Sequence, residues 1–219
     1  SFEGIQYFSG TQKTSLKKMQ REINEADDFI KKLEYSYGFL TSTFEFGPGF
    51  PVAYFDSDTF DEESYLSAFS EMLGAMKFQG QITLELGRSI AASCGTYVTQ
   101  IVDTKTNKGE NYAIVDGGIH QLVYYGQSMA MKQPKMQFIR TETPDGQAAP
   151  DLEVQHWHIC GSLCTINDIL VKQLPLYEPR PGDLLAFENT GAYCMTEGIA
   201  LFLSRDLPKI ILFDRGSGP

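Results

Sequence analysis

Little in this chain would carry it into a membrane or onto a polyanion. No apolar run approaches the roughly 18 residues that a membrane-crossing helix needs, and the start shows no signal-peptide pattern. Lysine and arginine number 18 against 28 acidic residues, for a net charge of −10, and no basic patch with interleaved aromatics occurs. Nucleic acid and anionic membranes are therefore expected to repel it. Cysteine is sparse: Cys94, Cys160, Cys164 and Cys194 lie in apolar, strand-like settings that fit a reduced protein better than a disulfide framework. Cys160 and Cys164 have only His156 and His158 nearby, no second cysteine pair appears, and the His-Trp-His run alternates like a strand, which argues against a zinc site. Internal repeats, low-complexity tracts and coiled-coil heptads are absent. The expectation is a soluble, cytoplasmic, metal-free protein with enough chain for one large or two small domains.

What is present divides near Ser93. Before it, apolar runs and helical periodicity alternate. Strand-like Phe2 to Phe8 precedes Lys13 to Tyr35, where Leu16, Met19, Ile23, Phe29, Ile30 and Leu33 recur at helical spacing. Leu40 to Phe46 is the next expected strand and Asp61 to Met76 the next helix, with acids in its first turn; Ile82 to Leu84 is the third strand. Glycines or small hydroxyl residues follow each strand, as in parallel βα units. After Ser93 the texture changes to β-branched and aromatic runs: Thr96 to Val102, Asn111 to Val115, Met136 to Thr141, Glu153 to Ile159, Asp183 to Phe187, Ile199 to Leu203 and Ile210 to Phe213. Asn107-Lys108-Gly109, Pro144-Asp145-Gly146 and Pro179-Arg180-Pro181-Gly182 punctuate them. The expected fold class is α/β plus all-β: residues 1–93 form part of a (β/α) barrel or doubly wound sheet, and residues 94–219 an antiparallel β domain. Three βα units cannot close an eight-stranded barrel, so the chain is expected to be the C-terminal portion of a longer protein.

Glu85-Leu86-Gly87-Arg88 carries the most chemical information. A carboxylate and a guanidinium three residues apart, at the end of a probable strand, can meet opposite ends of a ligand bearing a basic nitrogen and a phosphate, as pyridoxal 5'-phosphate does. The plainer reading is a surface ion pair worth under about 1 kcal/mol. Its companions favour the ligand. In order along the chain come Phe8-Ser9-Gly10-Thr11, Gly47-Pro48-Gly49-Phe50-Pro51, Glu85-Leu86-Gly87-Arg88, Asp116-Gly117-Gly118, Gly161-Ser162-Leu163-Cys164-Thr165 and Gly182-Asp183 with Gly191-Ala192-Tyr193.

This series resembles, in register and over essentially the whole chain, the motifs of the alanine-racemase-fold (fold type III), pyridoxal-phosphate-dependent decarboxylases that act on diaminopimelate, ornithine, arginine and carboxynorspermidine. The resemblance implies the last three βα units of a cofactor-binding (β/α)8 barrel over residues 1–93 and an antiparallel β-barrel or sandwich domain over 94–219. It implies removal of an amino acid's α-carboxylate, and a homodimer that shares its active sites. Glu85 would keep the pyridine nitrogen protonated and Arg88 would pair with the phosphate. Thr11, the backbone around Gly47 and Gly49, and the Tyr193 hydroxyl would complete the phosphate cradle. Cys164 would donate a proton after carbon dioxide leaves; its plainer reading is a small hydrophobe in a β loop, and that of Tyr193 a core tyrosine. Gly191 and Ala192 would let Tyr193 approach the phosphate.

Several positions depart from the family pattern. Phe8 replaces the histidine that stacks on the cofactor, keeping a ring but losing its proton chemistry. Pro48 removes a backbone donor from the phosphate loop. Thr165 replaces the acid that reads a distal amine, and the arginine expected of a diaminopimelate enzyme falls near Tyr124. A less charged, larger or carrier-tethered substrate is thereby favoured. The lysine that would hold the cofactor covalently has no motif here, so this chain is not expected to be active alone. Two alternatives stand beside the decarboxylase: a non-catalytic homologue that acts by binding a partner, and a racemase on the same fold.

Overall fold

The computed structural model describes residues 2–124, 130–141 and 153–213, and the expected Pro144-Asp145-Gly146 turn lies outside them. The chain separates into two compact units, residues 1–53 with 58–93, and residues 54–57 with 94–219.

The first unit alternates strand and helix: β1 (Gly4–Phe8), α1 (Leu16–Tyr37), β2 (Thr43–Gly47), α2 (Glu62–Gly74), β3 (Gln81–Leu84) and a single-turn α3 (Arg88–Ala91). The strands form a parallel sheet in the order β1-β2-β3. Helix α1 starts where the Ser15 side chain accepts the Lys18 N–H and ends at Gly38, whose left-handed φ of 65° closes the last turn. Asp61 caps α2 by accepting the Ser64 N–H at 3.1 Å, with Glu62 and Glu63 in the first turn. One sheet face and both helices enclose the core of Met19, Ile23, Phe44, Phe46, Phe50 and Phe69; the Phe50 and Phe69 rings meet edge to face at 4.9 Å. Phe29, expected on the buried stripe of α1, is half exposed, and Ala26 takes the buried place between Ile23 and Ile30. Asp27 is buried because its carboxylate accepts the Lys77 and Phe78 N–H groups at 3.1 and 2.8 Å, fixing the approach to β3.

The second unit holds β4 (Tyr97–Asn107), β5 (Glu110–Val115), β6 (Met136–Ile139), β7 (Val154–Cys160), β8 (Ile169–Tyr177) and β9 (Leu184–Phe187) in one sheet, ordered β6-β9-β4-β5-β7-β8. This sheet is mixed, not antiparallel as expected, because β5 pairs with β7 in parallel. Strand β4 runs past the expected Val102 because Asp103 to Asn107 pair with β5 across a two-residue turn, with Lys108 and Gly109 both at positive φ. The sequence reading missed β8. Its Lys172-Gln173 bulge and its Pro175 break the strand pattern, and both are accommodated because β8 is an edge strand. Ile199 to Leu203 and Ile210 to Phe213, expected as strands, form none. The former ends in a 3-10 turn at Phe202–Ser204 with Leu203 at φ 58°, and Leu201 is 97% exposed: β-forming residues without a pairing partner do not make a strand. The core gathers Ile101, Val115, Ile159, Leu170, Leu185 and Phe187. Among the described residues no helix is long and apolar enough to cross a membrane.

Candidate cofactor site

Period-two alternation divides the first unit's sheet into two faces. Ile5, Tyr7 and Ile82 pack against the helix-covered core, whereas Gln6, Phe8, Glu45, Thr83 and Glu85 are exposed. Parallel register brings the C-terminal ends of the strands level. Phe8 pairs with Gly47, Phe46 with Leu84, and the Glu85 N–H donates to the Phe46 carbonyl at 2.9 Å. A Cβ added at Gly47 would lie 2.6 Å from the Phe8 ring, so the absence of a side chain lets that ring lie across β2.

Two loops meet just beyond. Gly49 has φ +63°, and a Cβ there would lie 2.1 Å from the Gly10 carbonyl oxygen and 2.9 Å from the Thr11 Cα. The Lys13 N–H donates to the Gly49 carbonyl at 3.0 Å. Gln12, at φ 56°, clasps Val52: its Nε2 donates to the Val52 carbonyl at 2.9 Å while its Oε1 accepts the Val52 N–H at 2.6 Å. The turn carrying Thr11 is thus pinned to the turn carrying Gly47 and Gly49. Sequence reasoning passed over Gln12; the signal available was a long amide beside Gly10 in a turn that needs anchoring. Arg88, first residue of α3, is buried. Phe8, Thr11, Gly47, Gly49, Glu85 and Arg88 are all set at the strand ends of this unit. Two polar neighbours also escaped the sequence reading: Gln6 donates from Nε2 to Glu85 Oε2 at 2.9 Å, and the Glu45 carboxyl is held above its usual range by its hydrogen bond to Glu85 and by that group's charge.

In the second unit, Cys164 and Thr165 share the loop between β7 and β8, which folds around buried Asp168. The Asp168 carboxylate accepts the Leu163 N–H at 2.7 Å and the Ile119 N–H at 2.8 Å, and its carbonyl accepts the Gly161 N–H at 2.9 Å. Side chains at Gly118 or Gly161 would collide with that carboxylate, at 2.6 and 2.2 Å, so the Asp116-Gly117-Gly118 and Gly161 motifs are both shaped to receive it. Cys164 is exposed on this loop, and the Asn167 N–H donates to Thr165 Oγ1 at 3.3 Å. Tyr193 lies on a separate turn after β9, half exposed at φ 65°, its carbonyl accepting the Glu197 N–H at 2.8 Å. Gly191 and Ala192 have a packing reason. A Cβ on Gly95 would lie 2.4 Å from the Gly191 N, and Ala192 is buried. Tyr124 is a core residue, stacked on Tyr54 at 4.8 Å with its hydroxyl donating to the Glu188 carbonyl. Burial drives its phenol far above the usual range.

The first unit's residues fit a flat ligand with a basic ring nitrogen and a phosphate. They offer an exposed carboxylate, an aromatic face, a buried guanidinium, and a glycine turn with no room for side chains; buried Pro48, between the two glycines, offers no N–H.

Comparison with known proteins agrees. Residues 18–191 match the family described as the pyridoxal-dependent decarboxylase, C-terminal sheet domain. The L-glutamyl-[BtrI acyl-carrier protein] decarboxylase of Niallia circulans is 30% identical over 99% of this chain and 51% of its own length. The diaminopimelate decarboxylase of Bacteroides thetaiotaomicron is 26% identical over 95% of the chain and 51% of its own. The chain thus spans about half the length of the curated relatives it matches. Among solved structures, the Vibrio vulnificus lysine/ornithine decarboxylase complexed with cadaverine superposes with a TM-score of 0.78 at 19% identity, over 97% of this chain and 55% of that one. The Helicobacter pylori diaminopimelate decarboxylase complexed with L-lysine gives 0.71 at 22%, over 91% and 46%. The chain belongs to the pyridoxal-dependent decarboxylase, C-terminal sheet domain family.

Proposed function

We propose that the full-length protein carrying this chain is a pyridoxal-phosphate-dependent decarboxylase that removes the α-carboxylate of an amino-acid substrate. The observation that carries this reading is the alignment of Phe8, Gly47 and Glu85 at three parallel strand ends, with Arg88 buried just beyond, in a chain of this family. When bound, the cofactor supplies an electron sink for the pair left on the α-carbon as carbon dioxide departs. Glu85 would keep a proton on the ring nitrogen by accepting its hydrogen bond, and Phe8 would offer its ring for stacking. Arg88 would neutralise phosphate charge, with Thr11 and the Gly47 and Gly49 backbone completing the cradle. The Cys164 thiol gives its proton to the substrate α-carbon after decarboxylation and regains one from solvent. The three βα units would be the last of a (β/α)8 barrel, and residues 94–219 the β domain that follows it. The protein would work as a cytoplasmic homodimer with shared active sites; its four free cysteines suit a reducing compartment.

The substrate side supports a narrower choice. Thr165 offers a hydroxyl where a carboxylate would read a distal ammonium, and Tyr124 itself is committed to core packing and brings a phenol where a guanidinium would read a distal carboxylate. An amino acid whose distal end is capped or tethered to a carrier fits best, a reading supported by the likeness to the Niallia circulans protein that acts on a carrier-bound glutamyl group. The test loads the full-length protein with pyridoxal 5'-phosphate and offers free glutamate, lysine, ornithine, diaminopimelate and an amide-capped or carrier-bound glutamyl group. Carbon dioxide release from the last, faster than from the free amino acids, is expected. Inversion without carbon dioxide would favour a racemase, and failure to take up cofactor would overturn the reading.

A further inference from the structure

The polar face of the first unit's sheet holds two groups with no part in the reading above. Register places Gln6 of β1, Glu45 of β2 and Thr83 of β3 on one level, with Glu85 two residues beyond Thr83 on the same face and level with Gly47. The Gln6 amide reaches over β2 to meet the Glu85 Oε2 at 2.9 Å. Glu45, on β2 beneath that span, is the diagonal neighbour of Glu85 on the same face, and Glu85 holds its carboxyl above the usual range. Two carboxyl groups this close cannot both be charged cheaply. One proton between them turns a repulsion into a short, charge-assisted bond. The phenyl ring of Phe8, the next residue on the same face of β1, offers Glu85 no hydrogen bond; Gln6 supplies one from this face, and Glu45 is the neighbouring polar group on β2.

We propose that Glu45 and Gln6 are positioning residues that hold the Glu85 carboxylate, one from the second strand and one from the first, in the orientation that meets the cofactor's ring nitrogen. This inference rests on the proposed cofactor site. The raised protonation range of Glu45 suits it to act as a donor toward the Glu85 carboxylate. Without Glu45 the Glu85 side chain keeps Gln6 but loses its polar neighbour on β2, so its carboxylate is less fixed and the ring nitrogen less well held. Contacts to the phosphate are untouched.

The experiment measures dissociation constants of the full-length protein for pyridoxal 5'-phosphate and for its deaza analogue, in which the ring nitrogen is a C–H. Wild type is expected to prefer the natural cofactor. Glu45→Ala should cut that preference by about tenfold while leaving analogue binding unchanged, and Glu45→Gln, which keeps a donor, should restore most of it. The bound cofactor's absorbance should shift in Glu45→Ala and return in Glu45→Gln. Equal loss of both ligands in Glu45→Ala, or no change in the preference, would overturn the positioning role and leave the cofactor site standing. A wild-type protein that binds neither ligand would overturn the cofactor site, and this inference with it.

Discussion

In the βα unit the groups assigned to the cofactor stand at the ends of strands whose pairing fixes their positions; in the β unit Cys164 and Tyr193 stand on loops, and buried side chains and tight turns replace strand pairing. Glu85 is placed by a backbone hydrogen bond to Phe46, one step beyond a regular parallel ladder. Cys164 is placed by Asp168, which gathers N–H groups from two loops into a space kept clear by Gly118 and Gly161. The contrast teaches that the first kind of site is buffered against single substitutions by the sheet beneath it, whereas the second depends on one carboxylate.

The sharpest way to break that contrast is Asp168→Ala. It leaves the Leu163 and Ile119 N–H groups without their acceptor and should destabilise the protein by about 3 kcal/mol, read as a lower urea midpoint of the full-length protein. A loss under about 1 kcal/mol would mean the loop holds itself. Gln12→Ala probes the strand-end side. Releasing Val52 should cost only about 1 kcal/mol of stability but weaken pyridoxal 5'-phosphate binding several-fold, because the Thr11 and Gly49 turns lose their clasp while the ladder beneath persists. Unfolding as severe as that of Asp168→Ala would erase the distinction.

The smallest effect belongs to the β unit's surface. Glu110 contacts His158 Nε2 at 3.1 Å and accepts from Gln173 Nε2 at 2.9 Å, and these bonds hold its carboxyl below the usual range. A lowered folded value means a contribution present above the ordinary carboxylate range and lost as pH falls through the lowered one. Glu110→Gln should therefore cost a little stability at neutral pH, leave stability in acid below the carboxylate range nearly unchanged, and so slightly flatten the acid limb of the profile. An equal change at pH 7 and in acid would show that packing, not charge, links β5 to the β8 bulge.

Legibility in the sequence followed the same division. Helices α1 and α2 and strands β1 to β3 were readable because each pairs a clear period with a cap or a glycine stop: Ser15 and Gly38 on α1, Asp61 on α2, Gly47 closing β2. Glu85 and Arg88 stood out because opposite charges closed a strand end. Gln6 and Glu45 did not, since their meaning comes from register between strands, which no local window carries. In the β unit, Pro175 hid β8, the parallel β5–β7 pairing had no local signature, and the apolar run from Ile199 to Leu203 imitated a strand that finds no partner. Asp168 is a single acid in a loop, conspicuous only once Gly118 and Gly161 are seen closing around it.

The central claim, that the first unit's strand ends cradle pyridoxal 5'-phosphate through Arg88, is tested most directly by comparing that ligand with pyridoxal, which lacks the phosphate, in wild-type and Arg88→Ala full-length protein. Arg88→Ala should weaken binding of the phosphate form by at least about tenfold and leave pyridoxal binding unchanged, as loss of a buried charge-assisted contact requires. Equal binding of the phosphate form by both proteins would contradict the account.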